Sequence, residues 1–171
     1  DFAGLLTESQ REDIEKILKE IEKETTNEIS VVIINSLEGK SVEEYAGEIF
    51  NTWKIGKKGK DNGVLILIAL KERAIRIEVG YGFESYLSDA VCGRIIREII
   101  APNFRKNEYY KGIKEAVETI NKITKGEEVF KEKEESKNIP PFQFLLFWYF
   151  FCILFGFFIF GLLGFLIEFV L

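Results

Sequence analysis

Residues 61–82 read DNGVLILIALKERAIRIEVGYG. Val64 to Leu70 is an unbroken apolar run, rich in Val, Ile and Leu and too short for an ordinary helix, which is the signature of a strand buried on both faces. Lys71-Glu72-Arg73 turns the chain. From Ala74 to Gly80 apolar and polar residues alternate, with Ile75, Ile77 and Val79 on one side, as in the second strand of a hairpin. A strand that is apolar throughout must be covered on both faces, so the rest of the chain has to supply two layers of cover.

Upstream, Thr7-Glu8-Ser9-Gln10 is a capping box, and Ile14, Ile17, Leu18 and Ile21 follow at helical spacing. Glu28 to Ser36 is β-branched and nearly continuous, a second buried strand. Ser41-x-x-Glu44 starts another helix, with Tyr45, Ala46, Ile49, Phe50 and Trp53 on its inner face. Downstream, a helix is expected from about Ser88 to Ala101, stopped by Pro102. A last one runs from about Tyr109 to Thr124, with Ile113, Val117 and Ile120 inward. The order α-β-α-β-β-α-α predicts an α/β fold. It is a three-layer α/β/α sandwich on a small mixed sheet, its first two strands parallel and its third antiparallel to the second.

Composition divides the chain. Of 171 residues 47% are hydrophobic and the net charge is −5, but eleven of the sixteen phenylalanines lie from Phe142 onward. Every Lys and Arg lies at or before Lys137. We expect a domain over residues 1–125, a charged tether over 126–141 broken by Pro140-Pro141, and a transmembrane helix over 142–171. The uncharged run from Phe142 to Ile167 would extend roughly 39 Å as a helix, enough to cross a bilayer once with tilt. The lysines before it, taken alone, would place the domain in the cytoplasm. No methionine is present, so Asp1 is expected to be a processing point or a cut.

The absence of histidine excludes His-based metal sites and Ser-His or Cys-His catalysis. Cys92 and Cys152 lie in contrasting surroundings, so no disulfide is expected, and Cys92 is expected to pack inside its helix. Gly80-x-Gly82-x-x-Ser85 lacks the third glycine and the strand-to-helix setting of a dinucleotide fingerprint. Gly56-Lys57-Lys58-Gly59-Lys60 lacks the P-loop register. The lysines of this stretch could attract an anion, but a solvated loop is the plainer expectation. An acidic chain without a basic stripe excludes nucleic acid as a partner.

A hairpin returns the end of its second strand to the start of its first. Asp61-Asn62-Gly63 is therefore expected beside Gly80-Tyr81-Gly82-Phe83-Glu84, with Asp89 close by. Asp61, Glu84 and Asp89, with the Asn62 amide, form an oxygen-only candidate site for Ca²⁺ or Mg²⁺. The plainer reading is an ordinary Asp-Asn-Gly turn and an ordinary helix cap at Ser88 or Asp89.

Several ordered motifs carry a resemblance. Asp1-Phe-Ala-Gly-Leu-Leu6, Trp53-Lys-Ile-Gly56 and Lys60-Asp-Asn-Gly-Val-Leu65 come first. Arg76-Ile-Glu-Val-Gly-Tyr-Gly82 with Leu87 and Asp89, Ile100-Ala-Pro-Asn-Phe-Arg105 and Tyr109-Tyr-Lys-Gly-Ile113 follow. Together they resemble the TPM domain, over about residues 1 to 125. The resemblance implies a domain held outside the cytoplasm by a single membrane span, against the lysine count, and it is the placement we adopt. It implies divalent-cation binding at the acidic edge, with Asp1 matching a further acidic position beside Asp61, Glu84 and Asp89. It also implies two functions. One is an accessory or binding module that acts on membrane proteins, with the bilayer and a membrane protein or complex as partners. The alternative is a weak, metal-assisted acid phosphatase acting on phosphomonoesters.

Overall fold

The computed structural model describes residues 1–130, 150 and 151. Residues 1–130 form one compact unit. Helix α1 (Glu8–Thr25) leads to β1 (Glu28–Ile34), α2 (Val42–Trp53) and the hairpin β2 (Gly63–Ala69) and β3 (Ala74–Val79). A 3₁₀ turn (Tyr81–Phe83) precedes α3 (Asp89–Ile95), a π-helical turn (Ile96–Ile100), α4 (Ala101–Arg105) and α5 (Tyr109–Thr124). The sheet order is β1-β2-β3, with β1 and β2 parallel and β2 and β3 antiparallel, as the sequence predicts.

Central strand β2 is buried along its whole length. Its alternate side chains divide between two cores. Val64, Ile66 and Ile68 join Ile29, Ile33 and Ile77 under α1, the α3–α4 segment and α5. Leu65, Leu67 and Ala69 join Val32 and Ile34 under α2, through Ala46 with Tyr45, Ile49 and Phe50 alongside. The result is the expected three layers, because each pleat of a doubly buried strand needs its own apolar partner.

The helix starts follow the sequence. Thr7 and Gln10 make the reciprocal capping box, and Ser41 caps α2 through the Glu44 N–H at 3.1 Å. Two details depart from expectation. Pro102 does not stop its helix: the chain continues through α4 to Arg105, with Pro102 in the first turn of that segment. The widened turn at Ile96–Ile100 relieves the clash between the proline ring and the carbonyl four residues earlier. Trp53, expected on the inner face of α2, is 50% exposed, because α2 ends there and the Lys54 backbone turns left-handed.

Packing also continues past Lys125. Val129 and Phe130 lie against the larger core, and the Arg94 guanidinium stands 4.4 Å from the Phe130 ring centroid. The rest of the expected tether and the expected membrane helix over 142–171 lie outside the described residues, except for Phe150 and Phe151, which are helical and exposed. Among the described residues no helix is long and apolar enough to cross a membrane.

A polar clasp ties the first helix to the last. Tyr110 Oη donates to Asp13 Oδ2, and Lys114 Nζ reaches the same oxygen at 3.1 Å and Tyr110 Oη at 3.2 Å. The bonds from Tyr110 and Lys114 hold the Asp13 carboxyl below its ordinary value, and those to Tyr110 and Asp13 raise the Lys114 ammonium.

Two outcomes follow from this packing. Leu67→Ala removes a side chain that is 0% exposed, and denaturant unfolding should show a loss of about 2–5 kcal/mol. For Asp13 the folded state favours the charged form. Its contribution is therefore complete above the ordinary carboxylate range and lost as pH falls through the lowered value, whereas that of Lys114 is lost only under strongly alkaline conditions. In melting curves recorded from neutral to acid pH, Asp13→Asn should flatten part of the wild-type decline below about pH 4.

Candidate functional site

The hairpin brings together the backbone segments expected from the sequence. Gly80 N–H donates to Gly63 O at 2.8 Å, and Gly82 N–H donates to Asp61 O at 3.0 Å. These two glycines are required by the approach. A Cβ on Gly80 would stand 2.2 Å from Asp61 O, and one on Gly82 would stand 2.1 Å from Lys60 O, so no side chain fits at either place.

Behind this contact lies a polar network that the sequence reading did not anticipate. Asn62 is 6% exposed. Its Oδ1 accepts from Lys57 N–H at 3.0 Å, and its Nδ2 donates to Thr26 O at 2.8 Å and to Asn27 Oδ1 at 3.4 Å. Asn27 Nδ2 in turn donates to Thr124 Oγ1 at 3.2 Å, which ties the loop to the end of α5. Glu28 Oε2 accepts from Gly56 N–H at 3.2 Å. The signal was present in Thr26-Asn27-Glu28, polar residues at the entrance of an otherwise apolar strand, but their partners are distant in sequence.

The lysine-rich loop is partly committed. Lys57 pairs with Glu22, and that hydrogen bond raises its ammonium above the ordinary value. Lys60 Nζ donates to Thr26 Oγ1 at 3.0 Å.

The five candidate site residues fall into three groups. Asp61 and Glu84 are exposed at the shared edge, and among the described residues neither carboxylate is in a hydrogen bond or an ion pair. Asp61 holds a left-handed backbone, φ 48°, which Asp and Asn accept more readily than most residues. Asn62 and Asp89 are engaged: the Asn62 amide belongs to the buried network, and Asp89 pairs with Arg76 at 3.4 Å. Arg76 also bonds Glu78 at 3.0 Å.

Asp1 lies elsewhere. Its Oδ1 accepts from Ala3 and Leu5 N–H groups at 3.1 and 3.3 Å, and its Oδ2 accepts from Leu6 N–H at 2.9 Å. Phe2 N–H donates to Ile33 O, near the end of β1, whereas Gly63 pairs with Glu28 at its start. The strand between them spans roughly 16 Å at about 3.3 Å per residue. Asp1 thus folds its own loop at the opposite end of the sheet. Among the described residues no group of three or more carboxylates or thiols is arranged to hold a metal ion.

Aromatic exposure is the other property of this edge. Tyr81 is 80% exposed and Tyr86 is 52% exposed, one on each side of Phe83, which is buried. Cys92 is buried, and desolvation, with the nearby Asp89 charge, pushes its thiol up to about 11. Its Sγ donates to Leu87 O at 3.6 Å. It is a packed side chain, as expected, and far from a thiolate at neutral pH.

Known proteins share this architecture. The chain is similar to the N-terminal domain of a protein from P. gingivalis, solved by solution NMR. That match has 32% identity and TM-score 0.66, and covers 72% of this chain and 79% of that one. It resembles in fold the BA42 protein from the psychrophilic bacterium Bizionia argentinensis, at 24% identity and TM-score 0.61, with 69% and 80% of the two chains covered. The N-terminal domain of the cg2496 protein from Corynebacterium glutamicum shares the fold at 16% identity and TM-score 0.56, with 71% and 75% covered. No curated protein matches the chain. The family model described as the TPM domain matches residues 1–123, and the chain belongs to that family.

Proposed function

We propose that this chain is a membrane-anchored, extracytoplasmic binding module that assists the assembly, repair or regulation of a membrane protein or complex. The observation that carries the reading is the edge where Tyr81, Tyr86, Asp61 and Glu84 stand exposed on a backbone fixed from behind. Aromatic side chains with few rotatable bonds, set on a rigid turn, present large contact area at low entropic cost. The uncharged, phenylalanine-rich run before Glu168 supports the anchor, since a span that long without charge suits a bilayer.

Ca²⁺ or Mg²⁺ belongs to this proposal as a ligand of Asp61 and Glu84 only. Asp1, Asn62 and Asp89 are engaged, so the donor set does not fit an all-protein cage, and a water-rich ion held by two carboxylates suits it better. No catalytic step is routed through such an ion. The nucleophiles argue the same way. Cys92 is buried and protonated. Ser36 Oγ donates to Glu72 Oε1 at 2.7 Å, but that bond holds the Glu72 carboxyl below its usual range, the wrong direction for a general base near neutrality.

Photo-crosslinking in membranes of the native host tests the module. A benzoylphenylalanine at position 81 or 86 should yield a discrete adduct with a membrane protein, and one at the solvated Lys19 of α1 should not. Equal adducts from all three positions would remove the edge from the recognition surface. Added protease should digest residues 1–130 on intact cells; protection there would reverse the placement. The full chain in lipid nanodiscs should leave para-nitrophenyl phosphate unhydrolysed with either cation. Hydrolysis abolished by both Asp61→Asn and Glu84→Gln would establish the phosphatase instead.

A further inference from the structure

The far end of the hairpin carries a second, chemically opposite feature. Where β2 passes into β3 and the α3–α4 segment passes into α5, a groove of about 640 Å³ opens beside Leu70, Ile75, Phe104 and Tyr109. Its volume falls in the range of small-molecule sites, about 300–1,000 Å³. Phe104 and Tyr109 form an edge-to-face pair, with centroids 5.1 Å apart and planes at 75°, that makes an aromatic wall. Two arginines, Arg73 from the hairpin turn and Arg105 from the end of α4, complete the lining.

Both arginines are exposed, and among the described residues neither is in an ion pair or a side-chain hydrogen bond. In a chain of net charge −5, two guanidinium groups without a carboxylate partner at one groove are a selective feature. The acidic residues nearest in sequence make their contacts elsewhere: Glu72 accepts from Ser36, and Glu108 pairs with Lys111 at 3.3 Å. Lys106, beside Arg105, adds a further exposed positive charge.

We propose that this groove binds a small amphipathic monocarboxylate, with an aromatic or aliphatic body against Ile75, Phe104 and Tyr109 and its carboxylate between Arg73 and Arg105. A planar carboxylate matches the guanidinium fork, and the charge-assisted bonds fix its orientation while the apolar wall takes the body. Inorganic phosphate, by contrast, has no apolar body to set against Ile75, Phe104 and Tyr109. The site is separate from the acidic edge, so its fate and that of the binding-module reading are decided independently.

Fluorine NMR on the full chain in lipid nanodiscs tests it, with para-fluorophenylbutyrate as the probe and protein-free nanodiscs as the blank. Saturable binding is expected. Arg73→Gln and Arg105→Gln should each weaken it about tenfold, the effect of losing a charged hydrogen bond, without lowering the melting temperature. The neutral alcohol analogue should bind at least about tenfold more weakly than the acid, and inorganic phosphate at equal concentration should not displace the probe. Absence of saturable binding overturns the proposal, as does unchanged affinity in both variants. Equal binding of acid and alcohol would make the groove merely apolar, and displacement by phosphate would make it a phosphate site; either result also overturns it.

Discussion

Two-sided burial of β2 is the constraint on which the rest of the structure depends. Six consecutive side chains from Val64 to Ala69 are at most 2% exposed, and a strand alternates its side chains between faces. Neither face can be left to water, so α2 must lie on one side and α1, α3–α4 and α5 on the other. At roughly 25 cal/mol per Å² of apolar surface removed from water, covering both faces of such a strand contributes substantially to assembly. The parallel pairing with β1 follows from the same condition, because the α2 crossover both returns the chain and covers the face it crosses.

This is why the fold was legible in the sequence and much of the site was not. Periodicity alone locates β2, β3 and the apolar stripes of α1 and α5, and Ile113, Val117 and Ile120 face the core as their spacing predicts. Local rules failed where a tertiary partner decides the outcome. Pro102 reads as a stop, yet a π-helical turn just before it lets the helix continue. Trp53 reads as inward, yet α2 ends at that residue. The hairpin correctly implied that Asp61 meets Gly82. The pairing of Asp89 with Arg76 and the folding of Asp1 onto its own loop depend on side-chain choices that no spacing encodes.

The hairpin also separates chemistry along its length. Its open end, at Asp61 and Gly80–Glu84, carries exposed carboxylates and, at Tyr81, an exposed aromatic ring. Its turn end, at Arg73, carries arginines beside an aromatic wall. A strand of seven residues keeps these two regions roughly 20 Å apart at about 3.3 Å per residue, beyond the screening length of roughly 8 Å at physiological salt. The exposed carboxylates of one end and the exposed arginines of the other therefore do not neutralise each other.

The acidic edge keeps its exposed groups in place through its backbone. Gly80 and Gly82 let two main chains approach to hydrogen-bonding distance with no room for a Cβ, and Asn62 anchors the outer loop to the α1–β1 turn and, through Asn27, to α5. The bonds of Gly80, Asn62 and Asn27 use buried polar groups that would cost about 1–3 kcal/mol each if left unmatched, so the loop has few alternative conformations at low energy. The Asp61, Glu84, Tyr81 and Tyr86 side chains point away from that network, and at Asp61 the left-handed backbone still favours Asp or Asn. Rigid support with solvent-facing groups is the division of labour that suits recognition.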